Sequence, residues 1–203
     1  MFWKTDNPHG LSHNPFKSCI VPRPIGWISS LSKEGIINLA PYSFFNGACS
    51  EPPMVMFGCN GKHQHGIKDT ITNIEETKEF VCNLSTYNLR RAMNQSSTAV
   101  DPNINEFEFC DLETESSELI KVPRVKASPI HLECIYFKTL ELPCNQPEAR
   151  NAIITGHVIG INIRDDALKE GIIDIEKLQP LARMGYMDYT HVERIFTLQR
   201  PKV

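Results

Sequence analysis

Two stretches of this chain concentrate side chains from which a ligand site can be built. In the first, Arg23-Pro24-Ile25-Gly26-Trp27-Ile28-Ser29-Ser30 is answered by Asn38-Leu39-Ala40-Pro41-Tyr42-Ser43-Phe44-Phe45-Asn46. Ser29, Ser30, Asn38, Ser43 and Asn46 are uncharged hydrogen-bonding groups set in otherwise apolar runs, and as such they do not titrate. Pro41 removes one N–H from its strand and biases Ala40 toward extended backbone. That frees backbone groups of Ala40 to Tyr42 for a ligand, although an edge strand with a polar outer face fits the same residues. The second stretch is Lys68-Asp69-Thr70, at the expected start of a short helix. A helix N-terminus presents N–H groups and a positive dipole end to an anion, and here a hydroxyl and a cation accompany them. On the triplet alone, an ordinary cap with a solvated lysine is the commoner explanation.

Two other patterns carry less. Cys59, His63 and His65 are all Zn²⁺-competent, but three ligands at this spacing match no standard finger. Gly61 and Gly66 loosen the loop around them, so it is read as solvated or substrate-facing, with no metal. Cys49 has no resolving cysteine nearby and is read as a passive strand thiol.

The elements that must position these groups follow from periodicity. Residues 23–30 and 38–46 read as a hairpin across Leu31-Ser32-Lys33-Glu34-Gly35, where Gly35 accepts positive φ without cost. Met54 to Gly58 is a third strand, bounded by Pro52-Pro53 and Gly58. Asp69 or Thr70 then caps a helix over Ile71 to Thr77. Strand Glu79–Leu84 and a helix near 88–95, with Leu89 and Met93 four apart, come next. Residues 96–129 form a long irregular excursion, a length that is uncommon unless it serves a site or a partner. Its acidic centre, Asp111, Glu113, Glu115 and Glu118, reads as solvated surface, and Phe107 with Phe109 as one apolar edge tucked inward. Long strands return over 130–140 and 152–163, the second bent or bulged at Gly156 and Gly160. Asp165-Asp166-Ala167-Leu168 starts a last short helix, and residues 1–16 are an extended arm over the body.

At 203 residues, with 41% hydrophobic and 22% charged residues, the chain is expected to be one domain (1–203) able to bury its own core. A net charge of −3 argues against nucleic-acid or anionic-membrane partners. No run approaches the ~18 apolar residues of a membrane span, and the N-terminus has no signal-peptide h-region. Seven cysteines, without a Cys-x-x-Cys, suit free thiols in a reducing compartment. Cys82 and Cys134 read as small core residues. A cytoplasmic location is expected.

The two opening segments resemble the flavin reductase-like family, the FMN-binding split-barrel proteins. Glu51-Pro52-Pro53-Met54-Val55-Met56-Phe57-Gly58, Lys68-Asp69-Thr70-Ile71-Thr72-Asn73-Ile74 and Glu79-Phe80-Val81-Cys82-Asn83-Leu84 fit in the family's order. Looser matches run through Pro123-Arg124-Val125, His131-Leu132-Glu133-Cys134 and Gly156-His157-Val158, so the resemblance spans roughly residues 17 to 190. It implies a mainly β fold with flanking helices, an antiparallel split β-barrel. It also implies an FMN-binding oxidoreductase, with Ser29, Ser30, Asn38, Ala40, Pro41, Tyr42, Ser43, Asn46, Lys68, Asp69 and Thr70 around the flavin. Arg183 and Tyr186 resemble a C-terminal segment that approaches the flavin or a partner subunit. A homodimer is implied, passing electrons to a small-molecule or protein acceptor. NAD(P)H is a candidate donor, although no Gly-x-Gly-x-x-Gly is present. No side chain is assigned as catalytic, because the flavin supplies the redox chemistry. A flavoredoxin-like electron carrier and a split barrel without flavin are the rival readings.

Overall fold

The computed structural model describes every residue except 62, 63, 65, 147, 202 and 203. Its strands are β1 (Arg23–Pro24), β2 (Gly26–Leu31), β3 (Ile37–Tyr42), β4 (Phe45–Ser50), β5 (Pro53–Cys59), β6 (Glu79–Leu84) and β7 (Thr114–Glu115), then β8 (Arg124–Val125), β9 (Ile130–Leu142), β10 (Asn151–Ile163), β11 (Leu168–Lys169), β12 (Ile172–Ile173), β13 (Leu181–Arg183) and β14 (Tyr189–His191). The helices are α1 (Asp69–Thr77), α2 (Arg90–Gln95), α3 (Glu106–Phe109) and α4 (Ile175–Leu178).

Seven strands form one sheet in the order β3-β2-β6-β9-β10-β5-β4, every neighbouring pair antiparallel. Its two edges, β3 and β4, are joined by only Ser43 and Phe44, so the sheet must curl until its edges nearly meet. Phe44 continues the β4–β5 pairing up to that link, its carbonyl accepting from the Gly58 N–H at 2.7 Å. The result is an antiparallel barrel split between β3 and β4. Ile28, Phe57, Phe80, Cys134 and Ile154 from five of its strands fill the interior, with Ile71 and Ile74 of α1 packed against them.

Strand β2 is buried on both faces, its two serines included. Side chains alternate across a strand, so Ile28 joins the barrel interior while Trp27 points outward. Trp27 packs with Leu39, Met93, Phe107 and Leu181 beneath α2, α3 and β13. Beside the interior, Gly156 passes so close to Phe80 that an added Cβ would lie 2.5 Å from the ring. The β9–β10 ladder shifts register at Thr155/Gly156 and again at Val158/Gly160, the two bulges expected from those glycines.

The hairpin, the third strand and the two long strands stand where the sequence puts them. Four expectations change. The run 38–46 breaks at Ser43-Phe44 into β3 and β4, because the chain crosses the barrel seam there. Lys68, not Asp69 or Thr70, is the α1 N-cap residue, and no side chain caps that end. Residues 165–167 make only a 3₁₀ turn. Phe107 is buried and Phe109 is 40% exposed, since a helix turns residues two apart onto different faces. The helix near 88–95 is a 3₁₀ turn over Tyr87–Leu89 running into α2. Cys82 and Cys134 are buried, and the acidic run 111–118 is exposed.

Candidate functional site

A cleft of about 350 Å³ opens at the end of β3. Asn38, Ala40, Pro41 and Tyr42 form one wall, Lys68, Asp69 and Thr70 of the α1 start another, and Ser96 to Val100 with Glu106 the third. Asn38, Ala40 and Tyr42 share one face of β3 by strand alternation. The uncapped α1 N-terminus faces the same space.

The wall is held by a buried polar network. Asn38 donates its amide to Glu106 Oε1 at 2.6 Å, and the Leu39 N–H donates to Glu106 Oε2 at 3.3 Å. The Asn38 carbonyl oxygen accepts from Thr70 Oγ1 at 2.7 Å and from Ser30 Oγ at 3.3 Å. Asn73 of α1 donates to Ser30 Oγ. Glu106 is 6% exposed, and burial pushes its carboxyl up to about 7 against three donors that favour its charge, its own N–H, the Asn38 amide and the Leu39 N–H. Burial likewise raises the Tyr42 phenol and the Cys59 thiol, whose Sγ lies 3.7 Å from the Tyr42 hydroxyl. Both are therefore protonated near neutral pH. The Lys68 ammonium sits 5.6 Å from the Tyr42 ring centroid. Trp27 Nε1–H donates to Ser96 Oγ at 2.9 Å, which ties the third wall to the core.

A smaller cleft of about 180 Å³ adjoins the first across Pro41 and Ser97, and Ser43, Arg183 and Tyr186 line it. Ten of the thirteen expected residues thus line one cleft or the other. Ser29, Ser30 and Asn46 do not. Ser29 is enclosed on the outer face of β2, its hydroxyl donating to the Pro123 carbonyl at 2.7 Å. Ser30 lies behind Asn38 and orients it. Asn46 is exposed on edge strand β4, its carbonyl oxygen accepting from the Gly47 N–H. Trp27 and Phe45 belong to the core.

Residues 18–187 match the flavin reductase like domain. The chain belongs to the flavin reductase like family. An uncharacterised relative from Aquifex aeolicus is 36% identical over 167 residues, 82% of each chain. The structure of nitrilotriacetate monooxygenase component B from Bacillus cereus superposes with a TM-score of 0.83 at 29% identity, covering 95% of this chain and 100% of that one. The 2-nitrobenzoate 2-nitroreductase NbaA of Pseudomonas fluorescens gives 0.80 at 26%, covering 92% and 88%. For a flavin reductase like domain, the residues missed by sequence reading are Glu106 and the Ser96–Val100 wall. Glu106 sits two residues from exposed Glu108 in the same short helix, and only its place beside buried Phe107 distinguishes it.

Among the described residues no group of three or more His, Cys, Asp and Glu is placed to hold a metal. His63 and His65 of the Cys59 pattern lie outside the described residues. No described helix is long and apolar enough to cross a membrane.

Proposed function

We propose that this chain is an FMN-binding oxidoreductase that takes electrons from NAD(P)H and passes them to flavin or an onward acceptor. The observation that carries the reading is the convergence of β3, the uncapped α1 N-terminus and the 96–100 segment on one cleft. Its volume lies in the range of roughly 300–1,000 Å³ common for organic ligands. Family membership supports the flavin, and the donor set suits it. Lys68 and the free N–H groups of the α1 N-terminus would hold the phosphate, while the Thr70 hydroxyl stays on Asn38. Asn38 and the backbone of Ala40 to Tyr42 would meet the polar edge of the ring system, with Glu106 and Ser30 fixing the Asn38 amide. Bound FMN would supply two-electron transfer chemistry. The protein's part is orientation and a fixed electrostatic surround; Tyr42 and Cys59, both protonated, add no negative charge. A homodimer accompanies this reading, and sedimentation of the purified protein tests it.

The test is FMN titration followed by anaerobic reduction. Wild type should bind FMN and bleach with NADPH or NADH. Lys68→Ala should raise the FMN Kd about 10- to 100-fold, the loss of a charge-assisted contact worth roughly 1.5–3 kcal/mol. An unchanged Kd sinks the phosphate assignment. Bleaching by dithionite but by neither nicotinamide would favour an electron carrier reduced by a protein.

A further inference from the structure

The smaller cleft is built around cations that no carboxylate among the described residues pairs with. Lys17, Arg23 and Arg183 line it, and no carboxylate does. Strand β1 pairs with β13 so that Arg23 and Arg183 stand directly opposite, a placement that is destabilising for like charges across a ladder. Arg23 is 5% exposed. Its guanidinium is fixed by the carbonyls of Lys17, Ile20 and Met184 and by Ser43 Oγ, all of them uncharged. Burial and the Arg183 charge both lower its proton affinity, the signature of an uncompensated cation. Among the described residues none of the three cations forms an ion pair.

The cradle is also shaped. Arg183 is held against Tyr189 and donates to the Tyr186 carbonyl at 2.6 Å, with Tyr186 itself at φ 53 in the left-handed region. Such backbone is costly for a bulky residue and persists where its surroundings enforce it. Gly185 beside it admits a close neighbour, since a Cβ there would lie 1.8 Å from Ser18 Oγ. The segment carrying Lys17 is thereby pressed against the turn that follows Arg183.

We propose that Lys17, Arg23 and Arg183 form an anion seat, next to the flavin cleft, for the phosphate or carboxylate group of the second substrate. It rests on the flavin reading above for its neighbour, not for its own chemistry. At about 180 Å³ it takes an oxyanion group but no ring system the size of a flavin. Its link to the larger cleft through Pro41 and Ser97 puts the reacting end of such a substrate beside the cofactor. A phosphate would come from a nicotinamide dinucleotide, a carboxylate from an aromatic or aliphatic acid acceptor.

The test is calorimetric titration of FMN-loaded protein with inorganic phosphate, at low ionic strength because such contacts are screened by salt. Wild type should bind, and Lys17→Ala with Arg183→Gln should bind at least about 10-fold more weakly, equivalent to about 1.4 kcal/mol. FMN affinity should stay within about twofold. Lys17→Ala alone, in an exposed segment, should show part of the loss and serves if the double variant folds poorly. Phosphate binding that is absent, or equal in both proteins, overturns the seat. So does a variant that loses FMN, because the cations would then hold the cofactor. Competition arms identify the source: NADP⁺ binding more tightly than NAD⁺ assigns a dinucleotide phosphate, and benzoate displacing phosphate assigns a carboxylate. If the protein takes up no FMN, the proposed function fails, and the same titration on flavin-free protein still decides the seat.

Discussion

Replacing Glu106 with glutamine tests whether the carboxyl in the cleft wall is held protonated by burial. In the folded chain it titrates at about 7, against 4.5 in the open chain. Below about pH 4.5 both states carry the proton and the site costs nothing. As pH rises the unfolded chain ionises first, while the native carboxyl keeps its proton until about 7. Stability present at low pH is therefore lost progressively across that window. A raised carboxyl of this size weakens folding by about 2.5 kcal/mol between about pH 5 and pH 8. Asp69 across the cleft adds to the effect, whereas the Glu106 N–H, the Asn38 amide and the Leu39 N–H oppose it. Cys110, on the turn after α3, is pushed to about 11 by burial and by Glu106 and stays neutral throughout.

Glu106→Gln removes the titration and leaves at least one of its N–H donors without an acceptor, a constant cost of about 1 kcal/mol or slightly more. Urea unfolding of both proteins at several pH values gives the difference directly, since all other titrating groups cancel in it. The wild-type advantage should be largest near pH 5 and shrink, or reverse, by about 2.5 kcal/mol by pH 8. A difference constant across that range within the extrapolation error of about 0.5 kcal/mol would refute a buried, proton-holding Glu106. A difference growing with pH would mean that the Asn38 and Leu39 donors outweigh burial.

Two packing predictions follow from the barrel. Gly156→Ala should destabilise by about 1–3 kcal/mol, because its Cβ would meet fully buried Phe80 at 2.5 Å; an unchanged thermal midpoint contradicts the close approach at that bulge. Glu133 is 2% exposed and accepts from the Glu118 and Leu119 N–H groups at 2.8 Å, with Arg124 Nη1 3.7 Å away. Arg124 keeps Glu115 at 2.8 Å, so Glu133→Ala chiefly leaves two N–H donors without their acceptor; a loss of about 2–4 kcal/mol is expected in urea unfolding, and a loss below about 1 kcal/mol would show that those N–H groups reach water instead.

What the sequence made legible is what local pattern encodes. Gly156 and Gly160 inside a β-branched run announce bulges because nothing else explains them there. Ser29 and Ser30 show the limit. Adjacent in sequence, they read as one polar patch, yet strand alternation sends Ser29 outward to Pro123 and Ser30 inward to Asn38 and Asn73. Strand β2 is buried on both faces, so no exposed side marks the difference. The candidate site is held by contacts further apart still. Asn38 meets Thr70 across 32 residues and Glu106 across 68, and the Arg23 guanidinium meets the Met184 carbonyl across 161. Each partner looks ordinary alone: a threonine in a helix's first turn, a glutamate in a short helix, an arginine beside a proline. Only β3's edge position at the barrel seam, with α1 and α3 packed against it, turns them into one wall. The long excursion reads as oversized in sequence because its job is spatial. It brings Ser96–Val100 and a nearly waterless carboxyl to a strand edge that would otherwise offer its backbone to solvent.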